Sequence, residues 1–346
     1  MLSWCAGKNF RMTTALSRSA TPLADTLRLA LQDDDATALD ALTGAVPDGP
    51  RDRFTALLTL YALHTAPVHA LGPAARHQHR PALVALKNRC ETEWLDELAA
   101  LPREDDSEDA TTAVGLVSAM RTLAAHDRLP AVYKWLARDA DWDDVVRFLA
   151  LEGGPDAGFD DLVAACQIGL TGAPKMELAV NYWDEMGNGD PAAVHTTLHD
   201  QLVTAIEMPR IPVTEQPVSA LARTAFGGLL ATNRWLQPEM LGALGLIELQ
   251  AGPRCRLVLN AFDRCHAPAA AYPFYEVHAE VDPRHGRDWL DKAIVPTVTA
   301  HPEWGARILR GAAWRSAVNS AFLDDVTDLL AVPRSGTAHV DRTAAA

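Results

Sequence analysis

The sequence predicts an all-α protein, and three observations carry that expectation. Apolar residues recur at spacings of three and four in LADTLRLALQ (23–32), RFTALLTLYALH (53–64), PALVALKNRCETEWLDELAAL (81–101) and AVGLVSAMRTLAA (113–125), which is the period of a helix with one buried stripe. Alternating runs rich in β-branched residues, the mark of strands, are few. The 346 residues are 48% hydrophobic and 22% charged, a globular balance with enough apolar content to bury a sizeable core.

Taken in order, residues 1–20 are polar and without periodicity, so they read as a loose N-terminus in which Met12 offers a second start. Residues 21–112 form an N-terminal helical region. It ends in PREDDSEDATT (102–112), a charged stretch whose Ser, Asp and Thr suit a loop followed by an N-cap. Residues 113–332 hold the second set of helices, with members expected at 141–151, 158–170, 174–186, 191–206, 216–233, 238–250, 252–264, 272–290 and 303–330. The tail PRSGTAHVDRTAAA (333–346) is again low in apolar content and reads as loose. No internal repeat of fixed period occurs.

Charge and cysteine usage narrow the function classes. With 31 basic against 45 acidic side chains the net charge is −14, and no basic run tracks a phosphate backbone, so nucleic acid is not expected as a partner. No stretch reaches the roughly eighteen apolar residues that cross a bilayer, and the first residues lack an apolar signal core, so the expected location is cytoplasmic, away from membranes. The five cysteines form no CxxC pair, which predicts reduced, mostly buried thiols and no thiolate zinc site.

Chemistry is expected where ionisable residues interrupt apolar helical stripes, because burying a charge is costly unless it is paired or metal-bound. Four segments show this: Glu152 after VVRFLAL, Glu185 and His195 in NYWDEMGNGDPAAVH, Glu248 in LGALGLIEL, and His278, Asp282 and His285 in FYEVHAEVDPRHG. The last three project from one helical stripe, although Pro283 should disturb the helix between Asp282 and His285. Carboxylates with imidazoles and no thiolate match non-haem iron or manganese better than structural zinc, and seven ligands suit two metals. Asp282 and His285 echo the i, i+3 carboxylate–histidine pair of dinuclear helix bundles, but the chain has no Glu-x-x-His pair, which disfavours the ferritin-like scaffold.

Other readings stand beside these. Glu185 can be a solvated residue in a last helical turn, with Gly187 or Gly189 as C-cap and Asp190 and Pro191 opening the next helix. His199, one turn after His195, reads as a structural histidine; Tyr182, Trp183, Phe274 and Tyr275 read as core or pocket lining. Histidines 64, 69, 77 and 79 lie in a proline-broken polar stretch, where no metal site is expected.

The motifs DEMGNGDPAAVH (184–195) and YEVHAEVDPRHG (275–286), with Glu248 thirty residues before His278, resemble the haem-oxygenase-like diiron oxidases and oxygenases, iron-containing redox enzymes. The resemblance spans roughly residues 140–300. It implies a haem-oxygenase-like helical bundle in the 113–332 region; the N-terminal helices are expected to pack outside it, and because they are amphipathic their apolar stripes need a partner surface, which predicts a homodimer. It also implies ligand roles for Glu185, His195, Glu248, His278, Asp282 and His285. The family's first ligand is a glutamate on an earlier helix; Glu152 is the first choice because it closes an apolar run, with Asp156, Asp160 and Asp161 as alternatives. The implied cofactors are two Fe(II) ions, with O₂ as co-substrate and an external electron donor, since no GxGxxG follows a strand. The implied reaction is N-oxygenation of an amine or guanidine on an amino-acid-like small molecule, or else oxidative C–C cleavage of an amino or fatty acid. A non-catalytic helical binding protein and a zinc or manganese hydrolase are the readings from other classes.

Overall fold

A computed structural model of the chain describes residues 22–101, 112–126, 128–153 and 158–333, and among these there is no strand. The termini expected to be loose and the stretch at 102–112 lie outside the described residues, apart from Thr112 and Pro333. The helices are α1 Pro22–Gln32, α2 Ala36–Ala41, α3 Gly49–Thr65, α4 Val68–Leu71, α5 Pro81–Ala99, α6 Ala113–His126, α7 Ala131–Arg138 and α8 Trp142–Glu152. They continue as α9 Phe159–Gln167, α10 Gly172–Glu185, α11 His195–Ala205, α12 Val218–Thr232, α13 Gln237–Cys265, α14 Tyr272–Asp288, α15 Val295–Ala300 and α16 Gly305–Leu329. A π-helical turn, Trp289–Ile294, joins α14 to α15.

The all-α expectation holds, and α13 is where the structure departs most from the segments expected. Predicted as two helices on either side of residue 251, it runs unbroken through Pro253. A proline inside a helix removes one hydrogen bond and crowds the preceding turn; dense packing of α13 against α14 and α16 outweighs that loss. Pro283 is tolerated for a visible reason. Its missing N–H would leave the Ala279 carbonyl without a partner, and Arg256 Nη2 on α13 donates to that carbonyl at 2.8 Å. The helix therefore carries His278, Asp282 and His285 without an interruption.

Two apolar clusters flank a polar layer. One joins the leucines of α1, α3 and α5 to α12, to the first half of α13, to Trp289 and to α16. The other gathers α7, α8, the second half of α13, the first half of α14 and the end of α16. On α13 they stop on either side of Glu248, at Leu246 and Cys255; beyond Ala279 on α14 the next apolar core residue is Trp289. The N-terminal helices thus share a core with the second set, most closely where the Tyr61 ring lies on Gly228 of α12, 2.3 Å from where a Cβ would stand. Cys90, Cys166 and Cys255 are free and buried, as expected.

Helices α13 and α16 touch backbone to backbone. A Cβ on Gly242 would stand 1.8 Å from the Ile308 carbonyl oxygen, and one on Gly311 would stand 1.9 Å from that of Glu239. Neither carbonyl can yield without moving a helix, so Gly311→Ala should destabilise the chain by about 3 kcal/mol. Gly44→Ala, with nothing within 4 Å of the added atom, should stay within about 0.5 kcal/mol of the wild type. Chemical denaturation of the two variants checks the contrast.

Candidate metal centre

Helix α10 ends at Glu185, and a left-handed turn at Gly187 (φ 60), Asn188 (φ 53) and Gly189 (φ 90) reverses the chain. Only glycine fits at 187, because a Cβ there would lie 2.5 Å from the Ala193 carbonyl carbon. Asp190 does not cap α11 as the sequence suggested; its side chain accepts from Ala192 N at 2.9 Å, and α11 opens four residues later than expected, on His195 itself. The tight turn brings His195 Nδ1 to 2.7 Å from Glu185 Oε2. The His278 ring lies against that of His195, with centroids 4.5 Å apart. His278 Nδ1 donates to the Phe274 carbonyl at 2.7 Å, which leaves Nε2 with the lone pair.

Glu248, Asp282 and His285 form a second group beside the first. His285 Nδ1 is 3.6 Å from Glu248 Oε2 and 4.0 Å from Asp282 Oδ1, while its Nε2 pairs with Asp184 Oδ2 at 2.8 Å. Asp184 also accepts from Arg284 at 2.7 Å, and Asn181 Nδ2 donates to Glu248 Oε1 at 2.5 Å. These outer contacts fix the His285 ring and one oxygen of Glu248, as the supporting groups around a metal commonly do. Helices α13 and α14 approach closely enough for this because Gly286 lies on the Glu248 backbone and Gly252 lies on the Pro283 ring.

Within each of the groups Glu185, His195, His278 and Glu248, Asp282, His285, the candidate ligand atoms lie within 4.8 Å of one another, and all six residues are buried. The structure therefore brings together six of the seven residues read from the sequence. The single stripe on α14 divides between the groups, His278 serving one and Asp282 and His285 the other.

Glu152 stands apart. It accepts from the Tyr133 hydroxyl and lines a different cavity with Arg223, Arg254 and Arg315. Its carboxylate meets a phenol in a cavity that arginines also line, an environment that an apolar run ending in glutamate does not distinguish from a ligand site. Asp160, one of the alternatives, lies nearer to the centre, although it belongs to neither group. Its charge acts on Glu185 and His195, and its Oδ1 is buried without a hydrogen-bond partner among the described residues. Asp161 is exposed, and Asp156 lies outside the described residues. His199 is buried with its ring 5.1 Å from that of Phe274 and joins neither group. Trp183, read as core or pocket lining, is 53% exposed. Among histidines 64, 69, 77 and 79, none falls in a candidate metal group; His77 pairs with Asp34 at 2.7 Å.

Electrostatics describe a centre built for cations. Burial, with Glu248 and Asp160 nearby, pushes the Glu185 carboxyl up to about 8. Burial drives His195 down to about 4 and lowers His278. For His285 burial works downward too, but the carboxylates of Glu248 and Asp184 outweigh it and hold the ring up to about 9. Glu185, Glu248 and Asp282 bring three carboxylates together, with Asp160 near enough for its charge to act on Glu185 and His195, a concentration of negative charge that divalent cations would balance. Oxygen and imidazole donors without thiolate suit iron or manganese. The residues present fit a two-metal group.

A family model described as iron-containing redox enzyme matches residues 146–320, about half of the chain and every residue of the two groups. The chain belongs to this family. The resemblance read from DEMGNGDPAAVH and YEVHAEVDPRHG is thereby borne out, and with it an iron oxidoreductase on a haem-oxygenase-like helical fold. No curated protein matches the chain. No helix among the described residues is long and apolar enough to cross a membrane.

The shifted groups set a pH dependence for metal uptake. At pH 7 both Glu185 and His285 hold protons, because each titrates above 7, and a ligand must lose its proton to bind a metal. Ferrous iron added anaerobically in weak buffer at pH 7 should release about two protons per chain, and affinity should rise as pH approaches 9. A pH-stat titration reads the protons directly; uptake without release would contradict protonation of Glu185 and His285 in the metal-free chain.

Proposed function

We propose that the protein is an O₂-dependent non-haem diiron oxygenase that N-oxygenates an amine or guanidine of an amino-acid-like substrate. The observation that supports this reading best is the pairing of the two buried groups, one around His195 and His278 and the other around His285. Glu185, His195, His278 and Asp160 would hold one ion; Glu248, Asp282 and His285 would hold the other. Bound iron would supply the redox chemistry for O₂ and draw electrons from an external donor. The chain's own residues then have distinct tasks. Asp184 and the Phe274 carbonyl orient two imidazoles, Asn181 fixes Glu248, and the apolar clusters on both sides keep bulk water from the centre. Oxidative C–C cleavage of an amino or fatty acid needs the same centre and differs only in the bond presented to it.

Iron content and O₂ consumption measured on the same variants test this. His278→Ala and Asp282→Ala should each lose iron-dependent O₂ consumption and at least one bound iron while the helical fold persists. Asp160→Asn should lower the iron stoichiometry and Glu152→Gln should not. Wild-type O₂ uptake in Asp282→Ala would end the diiron reading; a marked fall in melting temperature with iron unchanged would favour a structural polar network.

A further inference from the structure

Helix α10 lies against the π-helical turn that follows α14, and a polar strip leads between them from the metal centre towards the surface. On α10 it comprises Asp184, Asn181 and Glu177; on the other side it comprises His285, Asp288 and Lys292. The two sides are in antiparallel register. At the inner end Asp184 Oδ2 pairs with His285 Nε2 at 2.8 Å. At the outer end Glu177, seven residues before Asp184, meets Lys292, seven residues after His285, at 3.7 Å. Lys292 is exposed, whereas Glu177 is buried.

Two groups in this strip are poorly matched to their burial. Glu177 is loosely paired, because the ammonium 3.7 Å from it lies 2.8 Å from Asp288. Asn181 is 1% exposed; its Nδ2 donates to Glu248 Oε1 at 2.5 Å, but its Oδ1 accepts from none of the described residues. A buried amide oxygen without a donor is costly. Glu177 is one helical turn before Asn181, so the two side chains are neighbours on one face of α10. An ionised carboxylate only accepts, whereas a protonated one has an O–H to give. Burial, with Asp288 close by, raises the Glu177 carboxyl against the opposing charges of Lys292 and His285, which favours the protonated form.

We infer that Glu177 is a positioning residue for the second metal group: its O–H donates to Asn181 Oδ1 and holds the amide with its NH₂ on Glu248. The amide then has one orientation, donating to Glu248 Oε1 and leaving Oε2 on the side of His285. An ionised Glu177 would draw that NH₂ to itself and release Glu248, so the hold is present while Glu177 keeps its proton and is lost as pH rises through its titration. Removing a group that orients a metal ligand commonly costs about tenfold to a hundredfold in affinity. This inference rests on reading Glu248, Asp282 and His285 as metal ligands.

Cobalt(II), titrated without oxygen into the full chain freed of metal by EDTA, is the probe, and its visible absorption gives affinity without turnover. Asp282→Ala identifies the part of the titration that belongs to the second group. At pH 7 Glu177→Gln, whose amide donates but bears no charge for Lys292, should bind at that group at least as tightly as the wild type. Glu177→Ala, which has no donor, should bind about tenfold more weakly. Lys292→Met should not weaken binding. A purely structural ion pair predicts otherwise, since Gln would break it as completely as Ala. Equal losses in Glu177→Gln and Glu177→Ala, or wild-type affinity in Glu177→Ala, would overturn this inference and leave the metal reading standing. No cobalt uptake by the wild-type chain would overturn both.

Discussion

Repulsion among carboxylates in a protein interior is the constraint on which the rest of this structure depends. Glu185, Glu248 and Asp282 come from three helices and meet around three imidazoles, within reach of the charge of Asp160, and burial has raised Glu185 and lowered His195. Such a cluster opposes folding unless protons or cations balance it. Protons do so in part, on Glu185 and His285; two divalent ions would complete it. Metals bound there would serve chemistry rather than folding, and the apolar clusters on both sides of the polar layer supply the stability that the buried charge costs.

Helix α13 organises this arrangement. It bears Glu248 and packs on α14, which bears His278, Asp282 and His285, and on α16, which closes the opposite side. Close approach at Gly242, Gly252, Gly286 and Gly311 brings backbones together where any side chain would hold them apart. Arg256 serves the same end, satisfying the carbonyl that Pro283 exposes. The N-terminal helices act at a distance, through the packing of α3 on α12.

Much of this is legible in the chain. The helical period of residues 53–64 and 81–101 predicts α3 and α5, and His-x₃-Asp-x₂-His with Glu185, His195 and Glu248 marks the six residues that converge. Other features are hidden for physical reasons. The division of α13 expected at residue 251 is absent from the structure, because the tertiary packing that carries the helix on through Pro253 leaves no local signal. Glu152 and Glu248 both follow apolar runs, yet one meets arginines and a tyrosine and the other meets imidazoles; the identity of the partner is a matter of three-dimensional neighbourhood. Asp160 ranks behind Glu152 in the sequence because GGPDAGFDD reads as a turn, whereas the structure has it in the first turn of α9, after the left-handed Gly158. Glu239 makes the same point, since its complete burial is matched by Arg307 and Arg310 more than sixty residues away.

The function turns on whether the polar layer between the two apolar clusters holds two metals. Anomalous diffraction at the iron absorption edge, from crystals loaded with ferrous iron without oxygen, is the decisive test. Two peaks about 3.5–4 Å apart are expected, one among Glu185, His195 and His278 and the other among Glu248, Asp282 and His285. Peaks elsewhere, or no peak between these side chains, would contradict a two-metal centre.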